Sequence, residues 1–78
     1  MTAITKYHEV FCKVLGVSED VLPMLVYQSI ESWDSVGHMA LMASLEEMFE
    51  IAFDTDDIID FSSYSKGLEI LKKYGVQF

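Results

Sequence analysis

The middle of the chain, from Ser35 to Glu50, consists mostly of alanine, leucine, methionine and glutamate, which are all strong helix formers. Asp34 stands immediately before this run and is a good N-cap, because its carboxylate can accept a hydrogen bond from an amide of the first turn. The run therefore predicts a helix of about four turns that starts at Ser35. A chain of 78 residues is too short for two separate cores, so the rest must pack around this helix.

Three further segments predict helices. From Thr2 to Leu15 apolar residues recur at helical spacing, and Gly16 follows where a left-handed C-cap is expected. The acidic stretch that begins at Asp54 predicts a short helix through Ile58 and Ile59, since acids complement the dipole at a helix N-terminus. A last helix that ends at Gly75 is predicted by the spacing of three, four and three between Phe61, Tyr64, Leu68 and Leu71. Ser62 and Ser63 are its candidate N-caps.

The segment between Gly16 and Asp34 contains Pro23 and several β-branched residues without a helical period, and it reads as a long loop. The predicted fold class is all-α: a small four-helix bundle of three longer helices and one short helix, with a long loop between helices one and two. We expect residues 1–78 to form one domain. Long loops in compact domains are often functional, which draws attention to the residues that follow this one.

Charge and cysteine content restrict the partners and the compartment. Five lysines, no arginine and thirteen acids give a net charge of -8, so nucleic acid and anionic membrane surfaces are excluded as partners and basic proteins are favoured. The lone Cys12 cannot form an internal disulfide and is expected to be a small core residue. No segment has the length and hydropathy of a membrane helix, and we expect a cytoplasmic monomer.

The two faces of helix two differ in chemistry. The inward face is predicted to carry Leu41, Leu45, Met48 and Phe49, with His38 and Met42 nearby. The outward face is predicted to carry Val36, Met39, Ala40, Ala43, Glu46, Glu47 and Glu50. Apolar side chains beside a cluster of acids form either a partner-docking surface or an ordinary solvated face, and the helical period alone does not distinguish these alternatives.

The sequence of helix two resembles the acyl carrier protein family. The resemblance begins with Asp34-Ser35-Val36 and continues along the helix and into the last third of the chain, so it covers most of the sequence. The matching residues are Leu41, Met42, Ala43, Leu45-Glu46-Glu47, Phe49-Glu50-Ile51, the acidic stretch from Asp54 to Asp60, Tyr64, Leu68, Ile70 and Leu71.

The resemblance implies that Ser35 carries 4′-phosphopantetheine, supplied by coenzyme A and joined through a phosphodiester, and that acyl groups travel on its thiol as thioesters. Asp34 is then both the helix cap and a residue that the modifying enzyme recognises. The implied partners are a phosphopantetheinyl transferase, an acyl-loading ligase or acyltransferase, and condensing or modifying enzymes with basic patches. The chain itself is expected not to be an enzyme. A phosphate at this position is also favoured by the helix dipole.

Two departures from the family pattern limit what the resemblance implies. Gly37 and Ala40 stand where many members carry acids, which leaves open whether the pathway is fatty-acid, polyketide, lipid or aminoacyl metabolism. The sequence before Ser35 lacks the glycines of many peptidyl carriers, which favours a discrete acyl carrier over an aminoacyl or peptidyl carrier. The alternative from another functional class is an acidic helical module that binds a basic protein without modification.

Other residues that could carry chemistry have simpler interpretations. No nucleophile-elbow glycines surround Ser35, so a hydrolase triad with the two histidines is not predicted. His38 is interpreted as a residue at the edge of the core and His8 as a surface residue. Trp33 either anchors the long loop or touches the prosthetic arm, and anchoring is preferred. The acidic stretch after helix two lacks the glycine of a calcium loop, and no metal site is predicted.

Overall fold

A computed structural model describes all 78 residues as a small helical bundle without strands. Four α-helices follow one another: α1 over Ala3–Leu15, α2 over Ser35–Phe49, α3 over Thr55–Asp60 and α4 over Tyr64–Lys73. The predicted all-α fold class with three longer helices and one short helix is therefore confirmed. None of the helices is both long and apolar enough to span a membrane.

The helix boundaries follow from local capping. Thr2 accepts a hydrogen bond from the amide of Thr5 at the start of α1, and Ser63 accepts one from the amide of Lys66 at the start of α4. Gly16 ends α1 in the left-handed conformation, with φ of 68°. Glu50, predicted as the last residue of helix two, is instead its left-handed C-cap, with φ of 55°.

The predicted long loop between α1 and α2 contains a short element that the sequence analysis did not identify. A 3-10 helix spans Glu19–Met24, with Pro23 inside it. Six residues are too few to establish a hydrophobic period, so this element left no clear pattern. The loop then joins the start of α4, because the amide of Tyr27 donates to the carbonyl of Ser62 over 2.7 Å and the amide of Tyr64 donates to the carbonyl of Leu25 over 3.0 Å.

One hydrophobic core holds these elements together. It contains fifteen buried side chains from all the α-helices except α3, from the loops and from the 3-10 helix: Tyr7, Val10, Phe11, Leu15, Leu22, Leu25, Trp33, Leu41, Met42, Leu45, Phe53, Phe61, Tyr64, Ile70 and Leu71. Gly67 lets α4 pack directly on Tyr7 and Phe61. A Cβ at this position would stand 2.2 Å from the hydroxyl oxygen of Tyr7 and 2.2 Å from Cζ of Phe61. The core therefore fixes α1, α2 and α4 and leaves α3 at its edge.

Polar groups, rather than core side chains, connect α3 to α4. The buried carboxylate of Asp57 accepts hydrogen bonds from Lys73 Nζ and from the hydroxyl of Tyr74, each over 2.6 Å. The same hydroxyl accepts from the amide of Asp54 over 2.8 Å. The hydrogen bonds from Lys73 and Tyr74 hold the pKa of Asp57 below its ordinary value, so this link is present at neutral pH.

Candidate functional site

The start of α2 presents Ser35 to solvent, as the sequence predicted. Asp34 is the N-cap, and its Oδ1 accepts a hydrogen bond from the amide of Gly37 over 2.8 Å. The hydroxyl of Ser35 makes no hydrogen bond within the protein, and the amides of Ser35 and Val36 donate to no protein acceptor. The first turn therefore offers a free hydroxyl beside two free N–H groups, which is the environment that favours a phosphate ester.

Trp33 anchors the loop before Ser35 in the hydrophobic core. Trp33 is 0% exposed, and its ring packs edge to face on Phe11 of α1 with 5.6 Å between the ring centroids. Its indole N–H donates to Nδ1 of His38 over 3.0 Å. Trp33 thus anchors the loop, which was the preferred of the two predicted roles, and His38 lies at the edge of the core as expected.

Gly37 sits where the loop and α2 approach most closely. A Cβ built on this residue would stand 1.9 Å from the carbonyl oxygen of Ser32 and 3.1 Å from its carbonyl carbon. Ser32 is itself fixed, because its hydroxyl donates to the carbonyl of Leu15 over 2.7 Å. Glycine at this position therefore has a steric reason, because a side chain would collide with the backbone of the loop.

An apolar surface pocket of about 340 Å³ opens beside Ser35, between α2, α3 and the loop. Ser35 lies on its rim, and His38 and Met39 of α2 form one wall. The remaining lining residues come from the loop, from α3 and from the segment between α3 and α4: Tyr27, Ile58, Ile59, Phe61 and Ser62. These five residues had not been assigned to the site, because they come from segments that no single periodicity connects.

The outward face of α2 is largely as predicted. Val36 and Met39 are 77% and 55% exposed, and Glu47 and Glu50 are exposed as well. Glu46 differs from the prediction: it is half-buried, and its Oε2 accepts a hydrogen bond from the amide of Phe53 over 2.8 Å. The reason is that α2 ends at Phe49 and the chain turns back over Glu46, so this acid holds the following loop. Its side chain is therefore not an exposed docking charge.

Charge is distributed unevenly over the sequence and the fold. All five lysines lie on α1 and α4. Residues 14–65, which include the loop, α2 and α3, contain eleven of the thirteen acids and no basic residue except His38. The part of the chain that contains Ser35 is consequently acidic, which favours approach by a basic partner.

The other candidate residues lie outside this site. His8 is half-buried rather than a simple surface residue, because the α4 side chain Tyr64 covers it: its Nε2 is 2.6 Å from the Tyr64 hydroxyl, and its Nδ1 is 3.3 Å from a carboxylate oxygen of Glu19. Cys12 is half-buried, and burial together with Glu19 and Asp20 raises the pKa of its thiol. Neither His8 nor Cys12 shares a hydrogen bond or a pocket with Ser35.

Comparisons with protein-family models, with curated proteins and with solved structures give no significant match to this chain.

Proposed function

We propose that this chain is an acyl carrier protein and that Ser35 is the residue to which 4′-phosphopantetheine is attached. The observation that carries the proposal is the position of Ser35: a free hydroxyl on the first turn of a fifteen-residue helix, on the rim of an apolar pocket. The resemblance of Asp34-Ser35-Val36 and of the helix that follows to the acyl carrier family supplies the chemistry. The attached thiol would carry acyl groups as thioesters.

The residues around Ser35 fit the group that the proposal requires. The unpaired amides of Ser35 and Val36 and the positive end of the α2 dipole favour the phosphodiester. The pocket beside them is lined mainly by apolar and aromatic side chains, which suits the uncharged arm and its acyl chain better than bulk water does. In this arrangement Asp34 keeps the first turn in place through the amide of Gly37, and Ser35 is an attachment point rather than a catalyst.

The partner surface is proposed to be the outward face of α2 near Ser35. Val36 and Met39 provide apolar contact, and Glu47 and Glu50 provide charge farther along the helix. The partners are the transferase that modifies Ser35, a ligase or acyltransferase that loads it, and condensing or modifying enzymes, each with a basic patch that complements the acidic residues of α2. A cytoplasmic location is part of this proposal, because the lone Cys12 fits a reducing compartment.

Modification by a phosphopantetheinyl transferase tests the proposal. The chain is incubated with coenzyme A and a transferase of broad specificity, and its intact mass is measured. Wild type is expected to gain one phosphopantetheine group, and Ser35→Ala is expected to gain none. Ser44→Ala is the matched control, because Ser44 lies on the same helix and this variant should be modified like wild type. A folded wild-type chain that stays unmodified with several active transferases would favour the unmodified interaction module instead.

The role of Asp34 can be separated from its capping function by Asp34→Asn. Asparagine is as good an N-cap as aspartate, so circular dichroism and thermal stability should stay close to wild type. If the transferase recognises the carboxylate, the rate of modification falls although the helix is intact. An unchanged rate would restrict Asp34 to its capping role and leave Ser35 as the only proposed recognition residue in this dipeptide.

A further inference from the structure

The imidazole of His38 is hydrogen-bonded on both sides. Its Nδ1 accepts from the indole N–H of Trp33 over 3.0 Å, and its Nε2 lies 2.7 Å from the carbonyl oxygen of Ile58 in α3. An indole nitrogen can only donate and a carbonyl oxygen can only accept, so Nδ1 has no proton and Nε2 has one. The geometry thus requires the neutral imidazole in a single tautomer.

This one side chain connects the three segments that surround the pocket. His38 belongs to α2, Trp33 belongs to the loop, and Ile58 belongs to α3. The Trp33 and His38 rings are stacked, with 6.2 Å between their centroids and 19° between their planes. Because α3 has only six residues and lies at the edge of the core, it depends on such tertiary contacts for its position. Ile58 also packs against the hydrophobic core, and Asp57 bonds to Lys73 and Tyr74 on the side of α4.

We propose that His38 is a pH-sensitive latch: the neutral imidazole joins Trp33 of the loop to Ile58 of α3 beside the pocket, and protonation at Nδ1 breaks the bond to Trp33 and frees the loop from this link. What release means for an attached acyl chain rests on the proposed function, since the open pocket would hold that chain less firmly. The latch itself is a property of the unmodified protein and is tested on that protein.

Protonation at Nδ1 is incompatible with the contact to Trp33, whereas Nε2 keeps its proton and its hydrogen bond to the Ile58 carbonyl. A proton on Nδ1 would face the indole N–H of Trp33, two donors 3.0 Å apart, and Trp33 is fully buried without water to accept its proton. No carboxylate lies within 4.0 Å of either nitrogen of His38 to balance the new charge, since Glu19 beside His8 is the only acid that close to a histidine. The aromatic rings beside His38 are those of Tyr27 from the loop, Trp33, and Phe61 after α3.

The direction of the pH effect follows from proton binding. The latched form has no proton on Nδ1 and the released form can take one up, so lowering the pH favours release. The comparison is therefore made between pH 8 and pH 5. The buried Asp57 keeps its charge over this range, because its pKa is held below the ordinary value. The attachments of α3 through Asp57 and through Nε2 of His38 therefore stay in place while the bond from Trp33 is lost.

Hydrogen exchange measured by NMR on the unmodified wild-type protein reports on the latch directly. Trp33 is the only tryptophan, so its indole N–H gives a single resonance. Between pH 8 and pH 5 we expect the protection factor of this N–H to fall about tenfold or more. The amide of Phe61, which is bonded to Asp57 in α3, should keep its protection, because α3 keeps its bond to Nε2 of His38. The amide of Phe11 in α1 should keep its protection. Unchanged protection at Trp33, or an equal loss at Phe11, would overturn the proposal.

Two substitutions separate the two hydrogen bonds, and neither replacement titrates. In His38→Asn the amide oxygen is placed near the position of Nδ1 and can accept from Trp33, whereas in His38→Gln the amide nitrogen is placed near Nε2 and can donate to Ile58. We expect His38→Asn to protect the indole and His38→Gln to protect α3, each equally at pH 8 and pH 5. His8 is present in both variants. A variant that keeps the wild-type pH response would assign that response to His8 and overturn the latch.

Discussion

Replacing Gly37 by alanine adds one methyl group to α2 at the point where the helix meets the loop. Helix propensity alone predicts that this change stabilises the chain, because alanine is favoured over glycine in a helix interior by about 1 kcal/mol. The structure predicts the opposite. The new Cβ would stand 1.9 Å from the carbonyl oxygen of Ser32, and that oxygen belongs to backbone rather than to a side chain that can rotate away.

The size of the loss follows from what must move. The two atoms have to separate from 1.9 Å to at least 3.0 Å, and Ser32 is tied to α1 through its hydrogen bond to Leu15. Moving this segment also displaces Trp33, which is fully buried. Overpacking of this kind costs about 1–3 kcal/mol, and displacement of a bonded segment places Gly37→Ala toward the upper end of that range. The propensity gain of about 1 kcal/mol offsets only part of it.

Urea denaturation followed by circular dichroism measures this difference. Ala40→Gly is the matched control, because Ala40 is exposed on the same helix and its replacement should lower the stability only by the propensity term of about 1 kcal/mol. We expect Gly37→Ala to lower the denaturation midpoint as well, although its propensity change has the opposite sign. A Gly37→Ala variant as stable as wild type, or more stable, would refute the close approach of the loop to α2.

The remaining predictions concern the core, the acidic face and the link between α3 and α4. Leu45→Ala should lower the free energy of unfolding by about 2–5 kcal/mol, because Leu45 is fully buried. Phe49→Ala should lower it less, because Phe49 is half-buried. Equally small effects of both variants in urea denaturation would contradict this assignment of the inward face of α2. Glu47→Lys should change the free energy of unfolding by no more than about 0.5 kcal/mol yet slow modification by the transferase at low salt. Glu46→Lys should lower the free energy of unfolding by about 1 kcal/mol, because it removes the acceptor for the Phe53 amide. Thermal melts and the transferase assay distinguish the two variants, and the reverse ranking of stabilities would contradict the assignment. Asp57→Asn should lower the melting temperature at pH 7, and the difference from wild type should disappear on acidification. The reason is that the pKa of Asp57 is lowered in the folded state, so its charge contributes stability above the ordinary aspartate pKa, and this stability is lost as the pH falls through the folded-state pKa. A difference that stays constant down to pH 2 would show that the charge of Asp57 has no such role.

The helices and the position of Ser35 could be predicted from the sequence because they depend on local features. Asp34 and Ser63 cap their helices through neighbouring amides, and Gly16 ends α1 through its own backbone conformation. The inward face of α2 follows from its period, and Leu41, Met42 and Leu45 are buried as that period requires. Each of these features is encoded within about four residues of the chain.

The rest of the site depends on contacts between distant segments, which a period along the chain does not encode. The pocket joins Tyr27 of the loop to Ile58 of α3, about thirty residues later. Glu46 was expected to be exposed because only its place on the helix could be considered, and the return of the chain to Phe53 was not visible. His8 is covered by Tyr64 from the opposite end of the sequence for the same reason.

The central claim is that Ser35, alone among the eight serines, accepts phosphopantetheine, and a peptide mass measurement tests it most directly. Trypsin is unsuitable, because all eight serines lie between Lys13 and Lys66 and stay in one fragment. Cleavage on the amino side of aspartate after transferase treatment gives residues 34–53, which contain only Ser35 and Ser44. The account predicts that this peptide gains one phosphopantetheine and that fragmentation places it on Ser35. Attachment at Ser44 or at a serine outside this peptide would contradict the account.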